Sequence, residues 1–224
     1  MLSMLEERVR RIQETLERES AAWGRKPLLI AVTKYSTPEE ILPLASLGVT
    51  DIGENRVQAL REKLPFLQEK FSIHLIGRLQ TNKVKYIIKD VCMIHSLDSM
   101  PLAQEIDRQA QKANRRMPVL AQVNIAREPQ KGGVAPEALF PFLRECARLP
   151  GLRLRGLMAI MPLGADQEAL TGYFTGMRAL LDQCRQEAIP ETEMTELSMG
   201  MSQDYDLAAR CGATMVRIGS ALFR

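Results

Sequence analysis

Apolar residues along the chain follow two different spacings. Over residues 1–20 they recur at intervals of three to four, which predicts one amphipathic helix. The apolar positions of this helix are Leu2, Leu5, Val9, Ile12 and Leu16. From residue 28 onward the pattern changes to short apolar runs rich in valine and isoleucine, which are typical of buried strands. These runs are LLIAVT, VTDIGE, SIHLIG, VCMIHS, VLAQVNI, LRGLMAI, TELSMG and MVRIGS.

Segments with helical spacing separate these runs. They cover roughly 38–47, 55–69, 79–89, 99–115, 136–148, 167–188 and 203–211. Strands that alternate with helices indicate parallel pairing and right-handed crossovers, so the pattern predicts a closed (β/α)8 TIM barrel, with a doubly wound open sheet as the alternative. We expect one domain over residues 1–224, in which residues 1–20 form an extra N-terminal helix and 28–224 form the barrel. Because the chain stops four residues after Ser220, the N-terminal helix is expected to take the place of an eighth barrel helix.

Composition narrows the class of protein. The 224 residues are 46% apolar, which is enough for a large core. A net charge of +3 is far below that of a dedicated nucleic-acid binder, so we expect no nucleic-acid partner. The four cysteines have no metal-binding spacing and are typical of free thiols in a reducing compartment. The N-terminus lacks the apolar centre of a signal peptide, and no apolar run approaches a membrane span, so a cytoplasmic protein without a membrane partner is expected.

Lys34 comes directly after the first strand-like run. In a parallel barrel the carboxyl ends of the strands form the working face, so this lysine is placed where chemistry occurs. A lysine there is often only a solvated entry to a helix. The chemical interpretation is a lysine that forms a Schiff base, since the attacking amine must be neutral and a partly desolvated site lowers the pKa below the free value of about 10.4.

The last strand-like run continues into VRIGSALF, which contains Arg217, Gly219 and Ser220. Glycine lets backbone N–H groups approach an anion and serine adds a hydroxyl, and the loops after the last two strands usually form the phosphate site of such barrels. Arg217 lies on the same strand face as Gly219 and is expected to point into the barrel mouth. The structural alternative for this arginine is an ion pair with a carboxylate such as Glu54.

Two further segments carry polar residues at predicted strand ends. Ser202, in ELSMGMSQDY, is either a helix N-cap or a second ligand for the same phosphate. His74, in IHLIGRLQTNK, is by default a hydrogen-bonded core residue, and His95 in MIHSLD has the same interpretation. Neither histidine has a metal partner at a recognised spacing.

In order along the chain, the motifs AVTK, IGENRVQ, HLIGRLQTNK, IHSLD, QVNI, GLMAIMP and LSMGMSQDYDLAARCGATMVRIG resemble those of the pyridoxal 5′-phosphate homeostasis proteins, also called the proline synthetase co-transcribed homologue family. The resemblance covers nearly the whole chain. It implies a barrel like the N-terminal domain of alanine racemase, with pyridoxal 5′-phosphate (PLP) held as an aldimine on Lys34. It also implies contacts to the ring or mouth from Asn55 and His74, and Arg217 facing the pyridine nitrogen. The implied phosphate contacts are Ser202, Gly219 and Ser220.

These observations lead to three hypotheses for function. The first is a monomeric carrier or regulator of PLP that takes part in vitamin B6 homeostasis without turnover and delivers PLP to PLP-dependent apoenzymes. An arginine carries only donors and cannot protonate the pyridine nitrogen, which disfavours carbanion chemistry. The second is a weak PLP-dependent amino-acid racemase, with Tyr35 or Tyr205 as the second base. The third is a Schiff-base aldolase that acts on a sugar phosphate without a cofactor.

Overall fold

Eight parallel strands close into a barrel in which each strand pairs with its neighbour along the chain and β8 pairs with β1. A computed structural model describes residues 2–128 and 130–224 of the chain. The strands are β1 Leu28–Val32, β2 Asp51–Glu54, β3 Ser72–Leu75, β4 Met93–Leu97, β5 Met117–Gln122, β6 Leu152–Met158, β7 Thr192–Ser198 and β8 Met215–Ile218. Each lies within one of the eight predicted runs or overlaps it, and the predicted closed barrel is confirmed.

The helices are α1 Leu2–Glu19, α2 Pro38–Ile41, α3 Pro43–Ser46, α4 Val57–Leu67, α5 Met100–Lys112, α6 Leu139–Cys146, α7 Gln167–Gln186, α8 Tyr205–Arg210 and α9 Ser220–Phe223, with 3-10 turns at Ala21–Trp23, Thr81–Tyr86 and Pro136–Ala138. The predicted helix 38–47 is divided before Pro43, because proline has no N–H for the helical hydrogen bond. The predicted helix 79–89 contains a 3-10 helix instead. The buried residue of this 3-10 helix is Val84. In residues 2–128 and 130–224, no helix combines the length and apolar character needed to cross a bilayer.

Apolar side chains form two layers of core. The larger layer lies between the strands and the surrounding helices and includes Phe174, which is fully buried. A smaller cluster fills the interior of the barrel. Its buried members are Ile30, Met93, Leu120, Met158 and Met215. Three polar side chains also lie in the interior. His95 and Arg217 are each two residues after an interior methionine, Met93 and Met215, and therefore point to the same face of their strands. Ser198 contacts both of them.

Helix α1 packs against α8 and the short α9, beside the seam between β8 and β1. Val9, Ile12 and Leu16 are buried on its inner face, as the apolar spacing predicts, whereas the side chain of Leu2 lies outside the described residues. The Arg8 guanidinium donates to the carbonyl of Leu222 at 3.1 Å. The N-terminal helix therefore packs beside β8 and β1, in the position expected for it from the sequence.

Gly156 permits close contact between two strands of the barrel. Its φ is +153°, and a Cβ at this position would lie 1.8 Å from the carbonyl oxygen of Glu196 on β7. Backbone atoms cannot move aside as a flexible side chain can. The register between β6 and β7 also shifts next to this residue. Only glycine fits here without separating the two strands.

We expect Gly156→Ala to lower the free energy of unfolding by at least about 3 kcal/mol, because the added methyl group collides with the β7 backbone. The matched control is Gly172→Ala in α7, where no atom lies within 4 Å of the added Cβ. This control should be neutral or stabilising by up to about 1 kcal/mol. Urea unfolding of both variants measures the difference, and equal midpoints would show that the strand contact tolerates a side chain.

Candidate functional site

The carboxyl ends of β1, β2, β7 and β8 bring most of the predicted site residues to one end of the barrel. Lys34 lies in the turn that follows β1, and its side chain is exposed. Its Nζ is 4.8 Å from the centroid of the Tyr35 ring, which the Arg224 guanidinium also approaches at 5.4 Å. The expectation of a partly desolvated amine is therefore wrong for this structure, in which Lys34 is open to solvent.

Just before Lys34, the backbone is held by a second lysine that sequence reasoning did not single out. Lys63, on α4, donates to the carbonyl oxygen of Thr33 at 2.6 Å and to Glu54 Oε1 at 2.8 Å. The Thr33 hydroxyl donates to the same carboxylate oxygen at 2.6 Å. Glu54 is fully buried, so its charge requires these partners. Glu54 thus pairs with Lys63 and not with Arg217, which excludes the ion pair considered above for the arginine.

Asn55 follows β2, and its side-chain oxygen is buried without a hydrogen-bond partner in the described part of the chain. The backbone of Asn55 is covered by Gly77, where a Cβ would lie 2.3 Å from the Asn55 carbonyl oxygen. The loop after β3 can pass this close only because residue 77 is glycine. A buried amide acceptor without a partner is unfavourable by itself, and a ligand that carries a hydrogen-bond donor would satisfy it.

Ser202, Gly219 and Ser220 meet at the ends of β7 and β8. The Ser202 hydroxyl oxygen accepts hydrogen bonds from the backbone N–H groups of Gly219 at 3.1 Å and Ala221 at 3.3 Å. The N-cap of α8 is Asp204, so the N-cap interpretation of Ser202 is wrong. Gly219 also packs on β1, since a Cβ there would lie 3.3 Å from Val32. Because Ser202 Oγ accepts from both N–H groups, the donors that this corner offers to an anionic group are the Ser202 hydroxyl hydrogen and the hydroxyl of the exposed Ser220.

Arg217 is almost fully buried inside the barrel. Its Nη1 donates to Ser198 Oγ at 2.5 Å and its Nη2 donates to the carbonyl of Ala159 at 2.8 Å. Burial lowers the pKa of Arg217 to about 10, and the nearby Asp204 carboxylate opposes this shift. The guanidinium therefore stays charged near neutral pH, where it can donate hydrogen bonds but cannot release a proton.

His74 and His95 lie inside the barrel, both almost fully buried. Their Nδ1 and Nε2 atoms, respectively, are 2.9 Å apart. The other ring nitrogen of His74 is 3.0 Å from Asp51 Oδ1, and that of His95 is 3.0 Å from Ser198 Oγ. Burial holds the pKa of His95 well below its usual value, and the positive charge of the nearby Arg217 acts in the same direction. Both rings therefore bind protein groups, as expected of core histidines, and sequence reasoning did not predict that they contact each other.

Comparison with known proteins assigns this barrel to a class. The family model for the alanine racemase N-terminal domain matches residues 2–224. Alanine racemase from Clostridium difficile 630 has the same fold, with a TM-score of 0.72 over 97% of this chain and 56% of that chain at 16% identity. The chain is therefore a member of the alanine racemase N-terminal-domain family of barrels.

Within that class the chain belongs to the pyridoxal phosphate homeostasis protein family. It is 40% identical over 221 residues to the pyridoxal phosphate homeostasis protein of Aquifex aeolicus, covering 97% of this chain and 96% of that protein. Among solved structures, it is similar to PipY of Synechococcus elongatus PCC7942 with PLP bound, with a TM-score of 0.87, 32% identity and coverage of 98% and 100% of the two chains. The predicted family is confirmed.

We expect Lys63→Met to lower the free energy of unfolding by about 3 kcal/mol, because it leaves the buried Glu54 carboxylate without its cation. The double variant Lys63→Met, Glu54→Gln should recover part of this loss, since no buried charge remains. Lys70→Met changes an exposed lysine and should stay within about 0.5 kcal/mol of the wild type in chemical denaturation. A Lys63→Met effect as small as that of the control would contradict a supporting role for the Lys63–Glu54 pair.

Proposed function

We propose that this chain binds PLP in the mouth of the barrel through a Schiff base with Lys34, and acts as a carrier that limits free PLP and takes part in vitamin B6 homeostasis. The single domain over residues 1–224 carries this activity. The observation that carries the proposal is the convergence of Lys34, Asn55, Arg217 and the Ser202–Gly219 pair at one barrel end. The PLP-bound structure of PipY supports it.

The residues present fit the chemical groups of PLP. Lys34 would supply the amine that condenses with the aldehyde of PLP, with the aldehyde oxygen released as water. Ser202 and Ser220 offer their hydroxyl groups to the anionic phosphate, and the backbone N–H of Gly219 holds the Ser202 oxygen in place beside it. Asn55 contributes its buried unpartnered oxygen as an acceptor for a donor of the ligand.

The exposure of Lys34 fits a reversible carrier better than it fits a sequestered catalyst. Schiff-base formation needs access to free aldehyde from solvent, and release to an apoenzyme needs the same path in reverse. A turnover site instead excludes water around the reacting atoms. The protonated Arg217 also favours a carrier. Because it keeps its own proton, the pyridine nitrogen that it faces stays unprotonated, and the ring is then a weak electron sink.

The protein is proposed to act in the cytoplasm as a monomer, with PLP-dependent apoenzymes as the acceptors of the cofactor. Bound PLP, when present, supplies an electron-withdrawing ring and a reactive aldehyde. The chain itself supplies the amine, the phosphate donors and the arginine, and a catalytic cycle would additionally require a second base.

Incubation with PLP followed by borohydride reduction should add one pyridoxyl group to the protein, on Lys34. Intact-mass analysis and peptide mapping measure this addition. Lys34→Ala should lose both the adduct and the yellow colour, whereas Lys70→Ala should keep them. An adduct on Lys63 or on another lysine, or a wild type that stays colourless with excess PLP, would contradict the proposal.

Tyr35 is the feature that favours the alternative of a weak racemase, because its exposed ring lies next to Lys34. For a carrier, we expect no deuterium exchange at the α-carbon of amino acids in heavy water above the rate with free PLP. Proton NMR of an amino-acid panel measures the exchange. Exchange that disappears in Tyr35→Phe but survives in Tyr86→Phe, an exposed tyrosine elsewhere on the surface, would establish the enzyme instead.

A further inference from the structure

A row of hydrogen-bonded polar side chains crosses the barrel interior from Arg217 to Asp51. Arg217 Nη1 bonds Ser198 Oγ, Ser198 Oγ lies 3.0 Å from His95 Nδ1, His95 Nε2 lies 2.9 Å from His74 Nδ1, and His74 Nε2 lies 3.0 Å from Asp51 Oδ1. We call these five residues the relay. Five strands contribute one residue each: β2, β3, β4, β7 and β8.

The chemistry of the two ends determines the direction of every hydrogen bond between them. Arg217 has only donors, so Ser198 Oγ must accept from it. An ionised Asp51 carboxylate has only acceptors, so His74 Nε2 must carry a hydrogen. If both rings are neutral, His74 Nδ1 then accepts from His95 Nε2–H, and His95 Nδ1 accepts from the Ser198 hydroxyl. Ser198, His95 and His74 each accept one hydrogen bond and donate the next.

The opposite order is unfavourable in this environment. It requires an additional proton on His74, which would donate to His95 and turn the His95 Nδ1–H toward Ser198. Ser198 Oγ would then accept from both His95 and Arg217, and its own hydrogen would need another acceptor. In the described part of the chain, Ser198 Oγ makes hydrogen bonds only with His95 and Arg217, so that hydrogen would be buried and unsatisfied.

We propose that the relay is a positioning device for Arg217, in which Asp51, through His74, His95 and Ser198, orients the guanidinium that faces the PLP ring. The part of this inference that concerns PLP rests on the proposed function. Ser198 Oγ accepts from Nη1 and the Ala159 carbonyl oxygen accepts from Nη2, so two hydrogen bonds set the plane of the guanidinium. His74 and His95 thereby act through Ser198, and not by a polar contact of their own with the cofactor.

The relay connects the two ends of the barrel. Asp51 is the first residue of β2, at the amino end of that strand, and its side chain is only 15% exposed. Lys34 and the Ser202–Gly219 pair lie at the carboxyl ends. Removing the Asp51 carboxylate should therefore change PLP binding at the far end of the barrel, although Asp51 lies outside the proposed binding site.

The first test uses the cofactor-free protein. The chain contains two histidines, so the ring signals in 15N NMR are assigned with a single His95→Gln variant. Both rings should be neutral at pH 7, with hydrogen on Nε2 and an unprotonated, hydrogen-bonded Nδ1. A hydrogen on His95 Nδ1, or a doubly protonated His74, would overturn the proposed direction. The protonation pattern is read from the wild-type protein, the variant serves only to assign the two sets of signals, and no PLP is needed.

The second test compares Asp51→Ala with Glu196→Ala. Glu196 is a buried carboxylate outside the relay, held by Arg25 at 2.9 Å and by the Thr214 hydroxyl at 2.7 Å, with no hydrogen bond to the relay in the described residues. Asp51→Ala should change the 15N signals of His95, which it reaches only through His74, and should weaken PLP binding by about 2- to 30-fold. Glu196→Ala should leave both the His95 signals and PLP affinity near wild-type values.

The outcomes separate the two proposals. If the wild type forms the Lys34 adduct but Asp51→Ala and Glu196→Ala behave alike in both measurements, the relay proposal fails and the PLP proposal stands. If the wild type forms no adduct, the PLP proposal fails, and the His95 signals still decide whether Asp51 orders the hydrogen bonds. Asp51→Asn keeps the side-chain shape and a carbonyl acceptor, and it should give a smaller loss of affinity than Asp51→Ala.

Discussion

A guanidinium that keeps its charge inside a closed barrel must find acceptors on other strands. Arg217 is 4% exposed and cannot give up its proton near neutral pH, so its hydrogen-bond partners are part of the structure and not optional. Ser198 on β7 and the Ala159 carbonyl after β6 provide them. Ser198 then requires an acceptor for its own hydrogen, which His95 supplies. The need to satisfy one buried cation thus extends across the barrel to Asp51.

This requirement divides the barrel interior. A cluster of apolar side chains, mostly methionine and leucine, fills the part of the interior that the relay does not occupy. The proposed binding groups lie at the carboxyl ends of the strands. Methionine suits this division, because its flexible thioether fills irregular space next to polar groups of fixed geometry. The large apolar cluster between the strands and the surrounding helices holds the strands in place, so the interior can contain polar groups.

A second buried charge supports the proposed chemistry from outside the barrel. The Lys63–Glu54 pair lies between β2 and α4 and ties down the backbone of Thr33, the residue before Lys34. The exposed side chain of Lys34 therefore extends from a firmly held backbone. Such an arrangement combines free access for an aldehyde in solution with a defined origin for the amine, which is what reversible capture of a ligand requires.

The sequence was sufficient to predict the eight strands, the closed barrel and the place of the N-terminal helix, because each depends on short-range apolar spacing and on the alternation of strand and helix. It also predicted that Ser202, Gly219 and Ser220 come together, since loops at adjacent strand ends must converge. The predicted helix bounds were less accurate. The helix expected over 38–47 is divided before Pro43, because proline has no N–H for the helical hydrogen bond.

Only the tertiary structure decided which buried polar groups contact each other. Glu54 pairs with Lys63 and not with Arg217, Ser202 binds backbone N–H groups and does not cap a helix, and the two histidines contact each other inside the barrel. Lys34 is exposed and not desolvated. Each of these facts depends on the tilt and register of strands that are distant in the chain, and the spacing of residues along one strand contains no information about the side chain that faces it across the barrel.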